Sequence, residues 1–180
     1  MAMMNPQLVN LLGALSLALA DAQIEAVRQT SGIGTAGCAT LAALGHYPNL
    51  TIKEIAVIAG LSHSVIVRTV ETLGAAGLVV KETGKDKREV IPKLTAEGHR
   101  LRSILMEARA AALEKAIATL SAERRDALHD LVSEMLVGLT VSRSQSDHMC
   151  RLCDEAACGP DCPVELKVQS ISGTDRGMQH

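Results

Sequence analysis

The segment from Thr51 to Gly98 constrains this chain more than any other. In Thr51-Ile-Lys-Glu54 a threonine precedes a glutamate by three residues, so each side chain can satisfy the other residue's free backbone N–H at a helix start. The spacing predicts a short helix with Ile55, Ala56 and Ile58 inside, stopped by Gly60. Ser62 then caps a helix near residues 62–75, with Val65, Ile66, Thr69, Val70 and Leu73 as its inner positions and Gly74 and Gly77 at its end. Two short helices joined by a glycine turn make a helix-turn-helix. Leu78–Thr83 reads as a strand, Gly84-Lys-Asp-Lys-Arg88 as a charged turn, and Glu89–Leu94 as the returning strand. Pro92 has no N–H for a ladder, so the returning strand must be an edge there. A hairpin with a basic tip, near residues 83–89, directly behind a helix-turn-helix describes a winged helix.

Helices flank this unit. Asn5-Pro6 reads as an N-cap and first turn, and Leu8, Leu11, Leu12, Leu15, Leu19 and Val27 recur at helical steps as far as the Ser31-Gly32-Ile33-Gly34 break. Thr35–Leu44 forms a second helix, closed by Gly45 and Pro48, with Cys38 as a small core residue. Thr95 caps a long helix through Leu101, Leu105, Ile117 and Leu120, and Ser121 caps another with Leu128, Leu131, Val132, Met135, Leu136 and Leu139 on one face. The terminal helix has little core of its own to cover, so its apolar face serves either dimerisation or ordinary packing. The fold class is mainly α with a small β-hairpin wing. Residues 35–98 are the winged helix-turn-helix, 5–34 and 99–145 a helical dimerisation region from the N- and C-terminal helices, 146–163 a cysteine-rich motif, and 164–180 a flexible tail. Beyond Ser142 no helical period is expected.

Composition narrows the function classes. Tyr47 is the only aromatic residue, which disfavours RNA-binding sheets and single-strand grooves that stack bases on rings. A helix in the major groove of duplex DNA needs no rings. The net charge is −2, so any DNA contact must come from a local basic surface. Residues 8–20 are apolar, but Arg28 is the first basic residue and the stretch is short for a membrane span, so a cytoplasmic location without membrane contact is expected. No serine–histidine–aspartate set, phosphate loop or carboxylate pair stands out, and no enzymatic activity is expected.

Asp86-Lys-Arg88 followed by Leu94-Thr95-Ala-Glu-Gly98, with Gly77-Leu78-Val79, Ser64 and Arg68, resembles the MarR family of bacterial regulators. The resemblance covers about residues 5–142. It implies a triangular homodimer with interleaved first and last helices, and a DNA affinity often tuned by a small ligand or an oxidant. The function it implies is sequence-specific binding of double-stranded DNA by a transcription regulator, a repressor on a pseudo-palindromic operator. Pro92 and the cysteine-rich end depart from the family pattern. The alternative is a metal- or redox-responsive protein whose winged helix makes protein contacts.

The expected DNA surface comprises Ser62, His63, Ser64, Val67 and Arg68 of the recognition helix and Lys85, Lys87 and Arg88 of the wing, with Lys81 and Lys93 on its arms. Short hydroxyls allow close approach to the groove. Arg68 can grip guanine, hold a phosphate, or pair with Asp86; the resemblance ranks DNA contact first. Asp86 is expected to brace the wing by orienting a neighbouring arginine.

Cys150, Cys153, Cys158 and Cys162 have the spacing C-x2-C-x4-C-x3-C, followed by Pro163. Four thiolates this close can wrap one tetrahedral centre. Two metal assignments stand side by side, structural zinc, although its knuckles usually have a longer spacer, and an iron–sulfur cluster, although ferredoxin loops lack the x4 gap; a thiol switch or an inert tail is the alternative to both. Four sulfurs would leave no open position for hydrolytic chemistry. Asp154, Glu155 and Asp161 should raise the thiol pKa values and only Arg151 should lower them, so no strongly activated thiolate is expected. The cluster is expected beside the dimerisation helices, where its loading would alter the spacing of two recognition helices.

Overall fold

A computed structural model describes residues 5–47, 49–84, 86 and 89–175. Its elements are α1 (Pro6–Ser31), α2 (Thr35–His46), α3 (Ile52–Ala59), α4 (His63–Ala75), β1 (Val79–Thr83), β2 (Val90–Leu94), α5 (Ala96–Ile117), α6 (Ala122–Leu139), α7 (Arg143–Met149), α8 (Glu155–Cys158) and α9 (Pro163–Asp175). The chain is mainly helical with one two-stranded antiparallel hairpin, as its sequence predicts.

Local chemistry sets the helix ends. Asn5 Oδ1 accepts the Gln7 N–H at 3.0 Å, and α1 stops where Gly32 turns left-handed at φ 65°. The Thr51–Glu54 box forms: Glu54 Oε2 accepts the Thr51 N–H at 2.7 Å, and Thr51 Oγ1 accepts the Glu54 N–H at 3.3 Å. Gly60 ends α3 at φ 67°, and the Leu61 N–H reaches back to the Ala56 carbonyl at 3.0 Å. The axes of α3 and α4 then diverge by 108°, within the range of helix-turn-helix units. Gly74, read as a helix end, lies inside α4; the chain turns instead at Gly77, φ 71°.

The wing pairs Val79 with Leu94 through to Thr83 with Val90. With two strands, both are edges, which accommodates Pro92. The hairpin is fastened to α5 by Thr95, whose N–H donates to the Leu78 carbonyl at 3.0 Å and whose hydroxyl donates to the Gly77 carbonyl at 2.7 Å. Helix α5 crosses there with almost no clearance: a Cβ on Gly98 would stand 2.1 Å from the Leu78 oxygen.

Leu41, Ile55, Ile66, Val70, Leu73 and Leu105 form the sealed centre of the core, joining α2, α3 and α4 to α5. Burying side chains of this size contributes about 1.5–3 kcal/mol each. The flanking helices contrast with this centre. Helix α1 lies along α5 but buries only Val27, and α6 buries nothing. Leu8, Leu11, Leu12 and Leu15 of α1 and Leu131, Val132, Met135 and Leu139 of α6 are exposed.

The end of the chain differs from expectation. Helices α7 and α8 occupy the cysteine-rich segment, and α9 runs through residues assigned to a flexible tail. Helix α9 packs on α6, and Val164 and Val168 are buried. Val164, Val168 and Ile171 sit at steps of four and three, an apolar stripe diluted by serines and charged residues. Residues 176–180 of the expected tail lie outside the described residues.

Candidate nucleic-acid interface

Helix α4 has one face in the core and one face outside. Ile66, Val70 and Leu73 point inward at steps of four and three, leaving Ser64, Arg68, Glu71 and Thr72 exposed on the opposite side. Ser62 is the N-cap, its oxygen accepting the Val65 N–H at 3.4 Å, and its hydroxyl lies 3.1 Å from that of Ser64. His63 is exposed in the first turn, at the positive end of the helix dipole. Arg68 is exposed, and among the described residues no ion pair joins its guanidinium to a carboxylate. Thr72 donates to the Arg68 carbonyl at 3.0 Å, which leaves the guanidinium itself unengaged by that bond.

Two positions exchange roles. Val67, expected on the DNA face, is partly buried and packs against the core. Val65, expected inside, is 40 % exposed. Both flank the Ile66–Val70 stripe, and helical periodicity does not say which flank a neighbouring element covers. Val65 lines a groove with Arg68, Thr69, Thr72 and the Gly32–Gly37 bend, so Val65, Thr69 and Thr72 are the surface residues that the sequence reading missed.

In the wing, Lys85, Lys87 and Arg88 lie outside the described residues. What is described is the closure of the tip. The Gly84 N–H donates to the Glu89 carbonyl at 2.9 Å and the Glu89 N–H to the Asp86 carbonyl at 2.9 Å. Lys81 is exposed, whereas the Lys93 ammonium donates to Asn49 Oδ1 and ties the returning strand to the loop before α3.

The four cysteines of the terminal segment are brought together. Cys150, Cys153, Cys158 and Cys162 all line one cavity of about 220 Å³, shared with His46 and Tyr47 at the end of α2. All are free thiols, with Cys158 exposed and the others half-buried. Among the described residues, no three metal-ligating side chains are drawn to the spacing of a single ion. The thiols stand as neighbouring pairs, Cys150 beside Cys153 and Cys158 beside Cys162. The Cys150 hydrogen bond pulls Cys153 down to about 6, against burial and with help from Arg109. The same bond, then burial, pushes Cys150 up. The direction at Cys153 runs against the expectation of raised thiols, and those at Cys150 and Cys158 agree with it. The cation that acts on Cys153 is Arg109 of α5, while the Arg151 guanidinium is turned to the His148 carbonyl at 2.8 Å.

The module also sits elsewhere than expected. Helix α9 touches α6, but α7 is strapped across the helix-turn-helix. His148 Nδ1 lies 2.9 Å from the Ile58 carbonyl, and the ring covers Gly60 so closely that a Cβ there would meet it at 2.4 Å. The Tyr47 hydroxyl donates to Asp147 at 3.0 Å, and burial, reinforced by that carboxylate, pushes the phenol up. His46 Nε2 lies 3.3 Å from Glu155. The cysteine site is therefore docked on the winged helix itself as well as on the flanking helices.

Comparison with known proteins places the chain by its fold. Residues 31–89 match the model of the MarR family. Similar solved structures include the YusO protein from Bacillus subtilis, with TM-score 0.62 and 20 % identity over 72 % of this chain and 92 % of that one. RV1404 from Mycobacterium tuberculosis has TM-score 0.64 and 19 % identity over 75 % and 94 % of the two chains. Apo wild-type MarR from E. coli has TM-score 0.60 and 19 % identity over 69 % and 96 %. No curated protein sequence matches the chain. The chain thus has the winged-helix fold seen in MarR-type proteins.

Proposed function

We propose, from this regulator fold, that the chain is a cytoplasmic homodimer that represses transcription by binding a pseudo-palindromic operator in double-stranded DNA. The observation that carries the reading is the outer face of α4: it opens on the Ser62 cap and exposes His63, Ser64 and Arg68. Such a helix enters the major groove with its first turns toward base edges. Arg68 supplies a fork that suits guanine or phosphate. Lys85, Lys87 and Arg88 on the hairpin reach the adjacent minor groove or its phosphates, with Asp86 holding the turn in shape. These local cations supply the electrostatic term that a chain of net charge −2 lacks overall.

The dimer reading is supported by the apolar faces of α1 and α6, which leave Leu8, Leu11, Leu12, Leu131 and Leu139 in solvent in a single copy. Apolar patches on two long helices at the edge of the fold suit a second copy of the same chain related by a twofold axis. Two recognition helices in such a particle read half-sites about one helical turn apart, roughly 34–36 Å.

The test is selection of a binding site from a random duplex pool, followed by affinity measurement across a salt series. Tight binding to a two-half-site sequence is expected, with log K falling linearly in log salt at about −0.9 per neutralised phosphate. Arg68→Ala should cost about 1–3 kcal/mol if the fork reads a base. A chain that enriches no duplex, or binds independently of salt, would leave the winged helix as a protein-contact module.

A further inference from the structure

We propose that Cys150, Cys153, Cys158 and Cys162 ligate an iron–sulfur cluster in the cavity between the end of α2 and the α7–α9 segment. The site does not depend on the DNA-binding reading. Four thiols from thirteen consecutive positions, 150 to 162, converge on one space although two turns and a short helix separate them. The backbone is built to do this. The Cys153 N–H donates to the Cys150 carbonyl at 2.7 Å, folding the first pair onto one side. Gly159, at φ 65°, reverses the chain after Cys158, a conformation that only glycine adopts cheaply. The Leu166 N–H donates to the Cys162 carbonyl at 3.0 Å, so the fourth thiol is held at the head of α9.

The pairing of the thiols favours a cluster over a single ion. With zinc–sulfur bonds of about 2.3 Å, a lone tetrahedral ion pulls all four sulfurs into mutual contact. Here the sulfurs stand in two pairs that line one cavity, and among the described residues no triplet is closed to that spacing. A binuclear cluster carries its own sulfide and takes two cysteines on each iron, which is what two neighbouring thiol pairs offer. Four thiolates also bring negative charge that must be offset. Arg109 acts on both Cys153 and Cys158, whereas Arg143 and His46 on the same wall are already beside Glu165 and Glu155. Cys158 is exposed, which leaves an approach for a cluster donor.

Loading is ligand exchange. Each cysteine thiol gives its proton to solvent as its thiolate displaces a donor thiolate from iron, and that donor takes up a proton. No iron is oxidised or reduced.

The experiment uses the full chain purified without oxygen, analysed for iron, acid-labile sulfide and zinc. It is then incubated with preformed [4Fe–4S] and, separately, [2Fe–2S] clusters held by a small-molecule thiol. Iron and sulfide in equal amounts with a brown visible absorption are expected from at least one donor, and the donor that loads identifies the nuclearity. Cys158→Ala and Cys162→Ala, at positions that contribute nothing to the sealed core, should lose the band while keeping the far-ultraviolet helical signal. Cys38→Ala should keep it, since that thiol is buried in α2, outside the cavity. Stoichiometric colourless zinc that excludes iron, wild-type protein that takes up neither cluster and retains its free thiols, or undiminished bands in both alanine variants would each overturn the assignment.

Discussion

Replacing Gly98 with alanine tests the join between wing and helix. The added methyl carbon would stand 2.1 Å from the Leu78 carbonyl oxygen, 3.1 Å from its carbon and 3.3 Å from Leu94 Cδ2. Carbon–oxygen contact is comfortable from about 3.3 Å, so α5 and the start of β1 must separate by roughly 1 Å. The obstacle is backbone, which cannot swing aside as a side chain can. Overpacking of this kind costs about 1–3 kcal/mol. The Leu78 oxygen is also the acceptor for the Thr95 N–H, and straining that bond adds up to about 1 kcal/mol. Alanine's better helix propensity returns at most about 1 kcal/mol in a first turn. The net expectation is a loss of about 1–3 kcal/mol. Urea unfolding, followed by circular dichroism at one fixed protein concentration, should show a midpoint lower by around 1 M, given slopes of about 1–3 kcal/mol per molar. Gly74→Ala is the matched control. Its Cβ would meet the Val79 oxygen at 3.6 Å, an ordinary contact inside α4, so stability should hold or rise by up to about 1 kcal/mol. A Gly98→Ala midpoint at or above that of the wild type would refute the close-crossing explanation of the Leu94–Gly98 motif.

Two further outcomes follow from the same structure. The Arg143 guanidinium grips Glu165 at 2.6 and 2.9 Å and, helped by Gln169, pulls its carboxyl down to about 2. A depressed carboxyl contributes stability that is present above its unfolded pKa of about 4.3 and is lost as pH falls toward 2. Glu165→Gln should therefore be less stable by about 0.2–1 kcal/mol near neutrality, after discounting for a pair that is largely solvated. Thermal melts should show that gap closing between about pH 4.3 and 2, and a gap independent of pH would contradict the ion-pair origin. On the outer helices, Leu12→Lys and Leu131→Lys place charge on the exposed apolar faces of α1 and α6. A leucine buried at a dimer interface contributes about 1.5–3 kcal/mol in each copy, so each variant should weaken self-association by about two to four orders of magnitude. Sedimentation of wild type and variants at matched concentrations checks this, and unchanged association in both variants would remove these faces from the interface.

Helix starts were legible because capping is a contact across three residues. Thr51 with Glu54, Ser62 with Val65 and Thr95 with Gly98 are bonded as their spacing predicts. The hairpin was legible from alternation and a charged turn. The faces of α4 were read only in part, because Val65 and Val67 border the same stripe and packing chose between them. The stripe of α9 was overlooked because its three apolar residues are diluted by polar ones and pack against α6 and α7, elements distant in the chain or outside the expected helices.

Sequence alone determined the order of the helices as far as α6, the winged-helix unit, the basic composition of the hairpin tip and the spacing of the four thiols, since each rests on contacts within a few residues. Tertiary structure decided everything that joins distant segments. It placed Arg109 beside Cys153, laid His148 over Gly60, joined Tyr47 to Asp147 across a hundred residues, and folded the terminal segment onto the winged helix. The physical reason is one of range. Caps and turns depend on neighbouring backbone, whereas burial and charge proximity depend on which surfaces meet once the whole chain has collapsed.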